Sequence, residues 1–176
     1  AYNGPRFSED LDFLMTGEIS EKELENILEN ICKKYTSLSL IEVKMKRNTL
    51  FGLIKILHPA LKHPRHIKIE ICRKKNGIQA EYRLLHSECS NFSPLTRTIT
   101  LSSLEKTKIA AIKGRKEPRD WIDLWFLSNL QRKQFEPPAD FPFQFVEFQR
   151  ELKRFLPRNK WLIIDQICKQ IVSSKN

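Results

Sequence analysis

The stretch "RFSEDLDF", residues 6 to 13, crowds Ser8, Glu9, Asp10 and Asp12 together where an apolar strand begins. Strand alternation would put Leu11 and Phe13 on one face and Asp10 and Asp12 on the other. Two carboxylates spaced this way stand close enough to share metal ions. Mg2+ is commonly held by one or two carboxylates and completed by water and substrate phosphates. An acidic polar turn leading into a strand would carry the same letters. A lone Asp-x-Asp does not separate the two readings, so the rest of the chain has to.

At 176 residues the chain is long enough for one sizeable core, or for a main domain with a small helical annex. It begins at Ala1 without a Met, which reads as a piece whose start lies upstream. There are 31 Lys and Arg against 21 Asp and Glu, a net charge of +10. Such a surplus favours a polyanionic partner such as RNA, DNA or a nucleotide triphosphate. No segment has the apolar length to span a bilayer, and the N-terminus lacks a signal pattern. Cys32, Cys72, Cys89 and Cys168 are scattered and form no Cys-x-x-Cys pair. They read as buried thiols of a reducing cytoplasm, not as a disulfide or zinc framework.

Outward from the acidic block the elements fall into two kinds. Ser20 and Glu23 form a capping box that opens a helix to about Lys34, with Leu24, Ile27, Leu28 and Ile31 as its buried stripe. Period-two alternation marks strands over 38 to 47, 49 to 57, 66 to 73 and, more weakly, 80 to 86. "KKNG" (74 to 77) reads as the hairpin turn between the last two. After Pro94 the pattern turns helical. Ser102 is a plausible N-cap, Gly114 a stop, and Pro118 sits in the first turn of the next helix, to about Leu130. Two more helices are expected at 143 to 155 and 160 to 172. The fold class is therefore α+β: a small mixed or antiparallel sheet with flanking helices over residues 1–100, then a helical region over 101–176.

Within "HIKIEIC", Ile67, Ile69 and Ile71 face one way while Lys68 and Glu70 face the other. Glu70 is thus the best third carboxylate for a two-metal site. A cross-strand lysine could equally satisfy it, and Glu42 in "LIEVK" has nearly the same context. His58, His63 and His66 match no common zinc spacing and read as part of a basic loop with Lys62 and Arg65. The four Phe of "DFPFQFVEF" (140 to 148) read as core.

Two stretches together resemble the signature segments of the AbiEii/AbiGii toxin family of polymerase-β-like nucleotidyltransferases. "RFSEDLDF" is similar to its Arg-x-Ser-x-Asp-x-Asp block. "KIAAIKGRKEPRDWIDLWFL" (108 to 127) is similar to its Lys-x-x-Ala helix, an Arg, and then Arg-Asp-x-x-Asp-Leu. The resemblance covers roughly residues 6 to 130. It implies that Asp10, Asp12 and Glu70 hold Mg2+ or Mn2+, and that Arg6 and Ser8 lie near the triphosphate. It implies that Lys108 approaches the nucleotide, and that Asp123 orients or deprotonates the acceptor hydroxyl with Asp120 and Arg119 in support. The implied activity is transfer of a nucleoside monophosphate to an RNA, such as a tRNA, or to a protein. The protein would be the toxin of a toxin–antitoxin pair, with an antitoxin as possible partner. The family's Gly-Gly or Gly-Ser turn should precede the acidic block, but only "AYNGP" stands before Arg6. Either the turn lies upstream of Ala1 or the polypeptide lacks it. If the polypeptide lacks it, the alternative is a catalytically inactive relative that binds nucleic acid or a partner.

Overall fold

A computed structural model describes residues 2, 4–6, 10–73, 77–86 and 91–174. By contacts the chain groups into two compact units, Ser8–Gly77 and Ala1–Phe7 with Ile78–Asn176. Each is built around its own core.

In the first unit, Ser20 and Glu23 close the expected capping box. The Glu23 amide donates to Ser20 Oγ at 3.2 Å and the Ser20 amide donates to Glu23 Oε2 at 2.8 Å. Two orphan N–H groups are satisfied, and α1 (Glu21–Lys34) begins there. Its partner is a four-stranded sheet of β1 (Asp10–Leu14), β2 (Leu38–Lys46), β3 (Thr49–Ile56) and β4 (Arg65–Cys72), in spatial order β1-β4-β3-β2. The β2–β3 and β3–β4 pairs are antiparallel, and β1 runs parallel to β4. The sheet is mixed: β4, reached through α1 and the β2–β3 hairpin, comes back beside β1 in the same direction.

Leu50, Ile54 and Ile69 of the sheet meet Leu24 and Leu28 of α1 in one apolar cluster. The helix comes so close that a Cβ on Gly52 would lie 2.6 Å from Leu28 Cδ1. Only half of the expected stripe is buried: Ile27 and Ile31 remain 49% and 39% exposed. The Leu24–Leu28 line sits over the Gly52 notch, and Ile27 and Ile31 lie on the flank of that line.

In the second unit, β5 (Ala80–Leu84) pairs antiparallel with β6 (Leu95–Ile99) in a separate two-stranded sheet. The expected pairing of β5 with β4 is thus replaced by a pairing further along the chain; residues 74–76 of the anticipated turn lie outside the described residues. This hairpin falls in the same compact unit as the helices that follow it. Four helices follow: α2 (Leu101–Arg115), α3 (Pro118–Leu130), α4 (Phe145–Phe155) and α5 (Leu162–Ser173). Thr100, not Ser102, caps α2, its hydroxyl accepting from the Ser103 amide at 3.3 Å. The helix runs through Gly114 and ends at Lys116, which takes the left-handed conformation with φ 47°. Pro118 opens α3 as its first residue, where a missing N–H costs nothing.

Trp121, Ile122, Phe148, Leu152, Ile164, Ile167 and Ile171 fill the helical core. Phe141 meets the Trp121 ring edge-on at 5.2 Å, and Phe143 stacks on Phe148 at 5.4 Å. The aromatic connector is therefore packing. Cys168 is buried, and burial raises its thiol pKa; Cys32 and Cys72 are half-buried, and Cys89 lies outside the described residues. No helix among the described residues is long and apolar enough to cross a membrane.

Candidate active site

The acidic pattern of the first unit is resolved by strand register. Asp12 of β1 is directly beside Glu70 of β4, and Asp10 is beside Lys68. In a parallel pair, partnered side chains leave the sheet on the same face, about 4.8 Å apart at the backbone. Asp10, Asp12 and Glu70 therefore share one face. The opposite face carries Ile69, which packs toward α1. The third strand contributes Phe51, the register partner of Glu70. Phe51 is buried, with the Lys46 ammonium 3.5 Å from its ring centroid and that of Lys44 at 5.7 Å. Glu42 is held by Lys44 at 2.6 Å, which separates it from Glu70 despite their similar sequence context.

Hard carboxylate oxygens on one face are the right donors for Mg2+ or Mn2+. They are aligned rather than gathered. Among the described residues no three His, Cys, Asp or Glu side chains form a cluster able to hold a metal ion, and the Lys68 ammonium stands 3.5 Å from Asp10. Ser8 lies outside the described residues.

The second unit holds a different constellation. Asp120, in the first turn of α3, has no exposed surface. Arg115, at the end of α2, grips both its oxygens: Nε donates to Oδ2 and a terminal N–H donates to Oδ1, each at 2.8 Å. Lys108, two turns back on α2, donates to Oδ1 at 3.1 Å. Burial opposes ionisation of Asp120. The Arg115 bonds and the Lys108 charge outweigh it, so the pKa lies below the usual aspartate value. The same fork raises that of Arg115.

One turn further along α3, Asp123 is held by Arg6, which donates from Nε to Oδ1 and from a terminal N–H to Oδ2 at 3.0 Å. The Lys108 ammonium also lies 2.6 Å from Asp123 Oδ2. Lys108 is thus a bridge between the two aspartates. Arg6, expected beside a triphosphate, is spent on a carboxylate 117 residues away. Arg119 makes no ion pair with Asp123 among the described residues. Its guanidinium lies 6.0 Å from the Phe155 ring, and its Nε is buried without a hydrogen-bond partner.

Arg115 is the Arg that follows the Lys-x-x-Ala helix in the quoted motif, but the resemblance attaches no role to it. Arg115 and Asp120 are five apart with Pro118 between, which is no helical repeat. A basic helix end followed at once by an acidic helix start, the arrangement both helix dipoles favour, is the further signal for their pairing.

A family model described as "Nucleotidyl transferase AbiEii toxin, Type IV TA system" matches residues 1–160. Among solved structures, the chain is similar to JHP933 from Helicobacter pylori, with a TM-score of 0.51 and 20% identity over 87% of this chain and 60% of that one. It is also similar to a putative nucleotidyltransferase from H. pylori, with a TM-score of 0.52 and 20% identity over 98% of this chain and 66% of that one. At such identity the likeness is one of fold. The chain spans less than two thirds of the length of these solved proteins. No curated protein matches it.

Proposed function

Because the chain belongs to the AbiEii nucleotidyl transferase toxin family of type IV toxin–antitoxin systems, we propose that it acts as a metal-dependent nucleotidyltransferase and as the toxin of such a system. It would transfer a nucleoside monophosphate from a nucleotide triphosphate to a hydroxyl of an RNA such as tRNA. The observation that carries this reading is the register of β1 with β4, which sets Asp12 beside Glu70 with Asp10 on the same face.

These three carboxylates would have to draw together to hold Mg2+, because as they stand they are aligned on one face without forming a cluster able to bind it. When bound, the metal supplies charge neutralisation for the triphosphate and for the attacking and leaving oxygens of an in-line displacement. The remaining roles belong to side chains. Lys108 takes a phosphate oxygen, with Arg119 and Ser8 as further phosphate donors. Asp123 serves the acceptor side, and Asp120 holds Lys108 in place. Positive charge over the chain recruits the RNA. The Lys68–Asp10 pair gives a second reading some support: a relative that keeps the fold, neutralises its own acidic face with lysine and binds nucleic acid without chemistry.

The test incubates the protein with each of four labelled triphosphates, Mg2+ and total RNA, beside Asp12→Ala. Transfer of label that Asp12→Ala abolishes supports the enzyme. Absence of transfer from all four favours the second reading, and transfer that survives Asp12→Ala removes the carboxylate face from the mechanism.

A further inference from the structure

Where α4 ends and α5 begins, the chain of the helical unit turns a corner. Leu156 leaves the helix in an extended conformation, and Pro157 follows with φ −62° and ψ 150°, so α4 stops there. A short 3-10 turn, Arg158–Lys160, carries the chain into α5. The corner leaves a cleft of about 450 Å³, within the roughly 300–1,000 Å³ usual for small-ligand sites. Its walls bring together the Trp161 indole, the cations of Lys153 and Arg158, the amides of Gln149 and Asn159, and the Asp165 carboxylate. The indole is held in place: its Nε1–H donates to the Leu156 carbonyl at 3.2 Å, and the ring packs against the helical core. The Lys153 ammonium lies over that ring, 5.1 Å from its centroid. The adjacent Arg154 is committed to Glu151 at 2.8 Å, whereas among the described residues Lys153 and Arg158 form no ion pair.

We propose that this cleft binds a nucleotide of a single-stranded RNA, with the base against Trp161 and the phosphate between Lys153 and Arg158. That the strand is RNA rests on the nucleotidyl-transfer reading; the nucleotide cleft itself does not.

The lining selects this chemistry over others. One acid stands against two cations, which favours an anion. Inorganic phosphate would use the cations and leave the fixed indole idle. An apolar peptide would cover the indole and leave both cations without a counter-ion. A nucleotide uses both kinds of group. An exposed cation–π contact is weaker than a base stacked on an aromatic ring, so the base takes the indole and Lys153 swings to the phosphate. Gln149, Asn159 and Asp165 then offer donors and acceptors to the base edge or the ribose.

Fluorescence anisotropy of dye-labelled hexaadenylate, beside a hexamer of the same backbone without bases, reads the cleft with no transfer reaction. The parent should bind hexaadenylate about tenfold more tightly than the baseless strand. Trp161→Leu should bind hexaadenylate about tenfold more weakly, with its affinity for the baseless strand within about twofold of the parent's. Trp161→Phe, which keeps a ring, should stay within about threefold of the parent on both strands. Arg158→Gln, at an exposed position, should weaken both strands by about threefold. Unlabelled 5′-AMP, with a single phosphate, should compete only at concentrations at least about tenfold above hexaadenylate. The cleft is refuted if the parent shows no preference for bases, if Trp161→Leu weakens both strands alike, as a merely structural role would, or if Arg158→Gln binds as the parent does. Competition by 5′-AMP at equal concentration would overturn RNA as the source of the nucleotide. A parent that binds in the expected order yet transfers no label would defeat the enzymatic reading and leave the cleft standing.

Discussion

Asp120 shows how one side chain can hold opposing effects in balance. Full burial of an ionised carboxylate is costly, and only the arginine fork and the lysine beside it make the charged form tolerable. Asp120→Ala strands two cations against a cavity, so a loss approaching the roughly 3–5 kcal/mol typical of a broken buried pair is expected. The half-exposed Arg115 side chain, able to reach water, keeps it from exceeding that. Chemical denaturation of parent and variant at neutral pH measures the difference. The pH dependence has a definite sign. The folded pKa of Asp120 is depressed, so its contribution is complete above the unfolded value of about 3.9 and is lost as pH falls through the folded value. Stability followed from pH 6 downward should decline below about pH 4, and Asp120→Asn should decline less steeply over that window. A variant curve parallel to the parent's would assign the acid sensitivity to other carboxylates. Gly52 is the second residue on which much depends. A methyl group there meets Leu28 at 2.6 Å inside a filled cluster, so Gly52→Ala should destabilise by about 1–3 kcal/mol through overpacking. Combining it with Leu28→Val, which withdraws the opposing methyl group, should recover part of that loss.

Elements were legible where they depend on local pattern and obscure where they depend on pairing. The capping box at Ser20 and Glu23 and the first-turn Pro118 need only a few adjacent residues, and both helices start where those residues say. Alternation in residues 66 to 72 correctly sets Glu70 opposite Ile69. That Asp12 is its neighbour is a fact of register between strands nearly sixty residues apart, and nothing in either strand states it. The choice of β6 as the partner of β5 is equally non-local. In α3, three-residue spacing places Asp120 and Asp123 on adjoining turns, but only packing buries the first completely. The end of α2 invites a prediction at this scale. Lys116 stops the helix in the left-handed region, where a Cβ costs about 1 kcal/mol and glycine costs little. Lys116→Gly should therefore be neutral or raise stability by up to about 1 kcal/mol, less the entropy that glycine returns to the unfolded chain. Thermal melts of the pair would decide it; a loss above that range would mean the lysine side chain holds the cap through its own contacts.

At the scale of the whole molecule the deciding quantity is charge. The arginines nearest Asp120 and Asp123 are committed to those acids, so attraction for a long polyanion must come from other basic residues. The Arg65–His66 start of β4, the Lys44–Lys46 segment of β2 and the basic residues of α4 are exposed or half-exposed and lie on separate elements. Dispersed cations give affinity without sequence readout, and their signature is release of counterions. For single-stranded RNA the logarithm of the binding constant falls with the logarithm of salt at a slope of about −0.7 per neutralised phosphate. Three such contacts imply an affinity lower by about 20-fold between 50 and 200 mM monovalent salt. Titration of labelled single-stranded RNA at several salt concentrations measures the slope. Arg65→Ala or Arg150→Ala should each make it shallower by less than one phosphate equivalent, while Arg115→Met should leave it nearly unchanged because that guanidinium is already paired. A slope near zero would remove RNA from the partners that the net charge of +10 suggests. A slope that Arg115→Met flattens would place the RNA backbone at the Arg115–Asp120 pair.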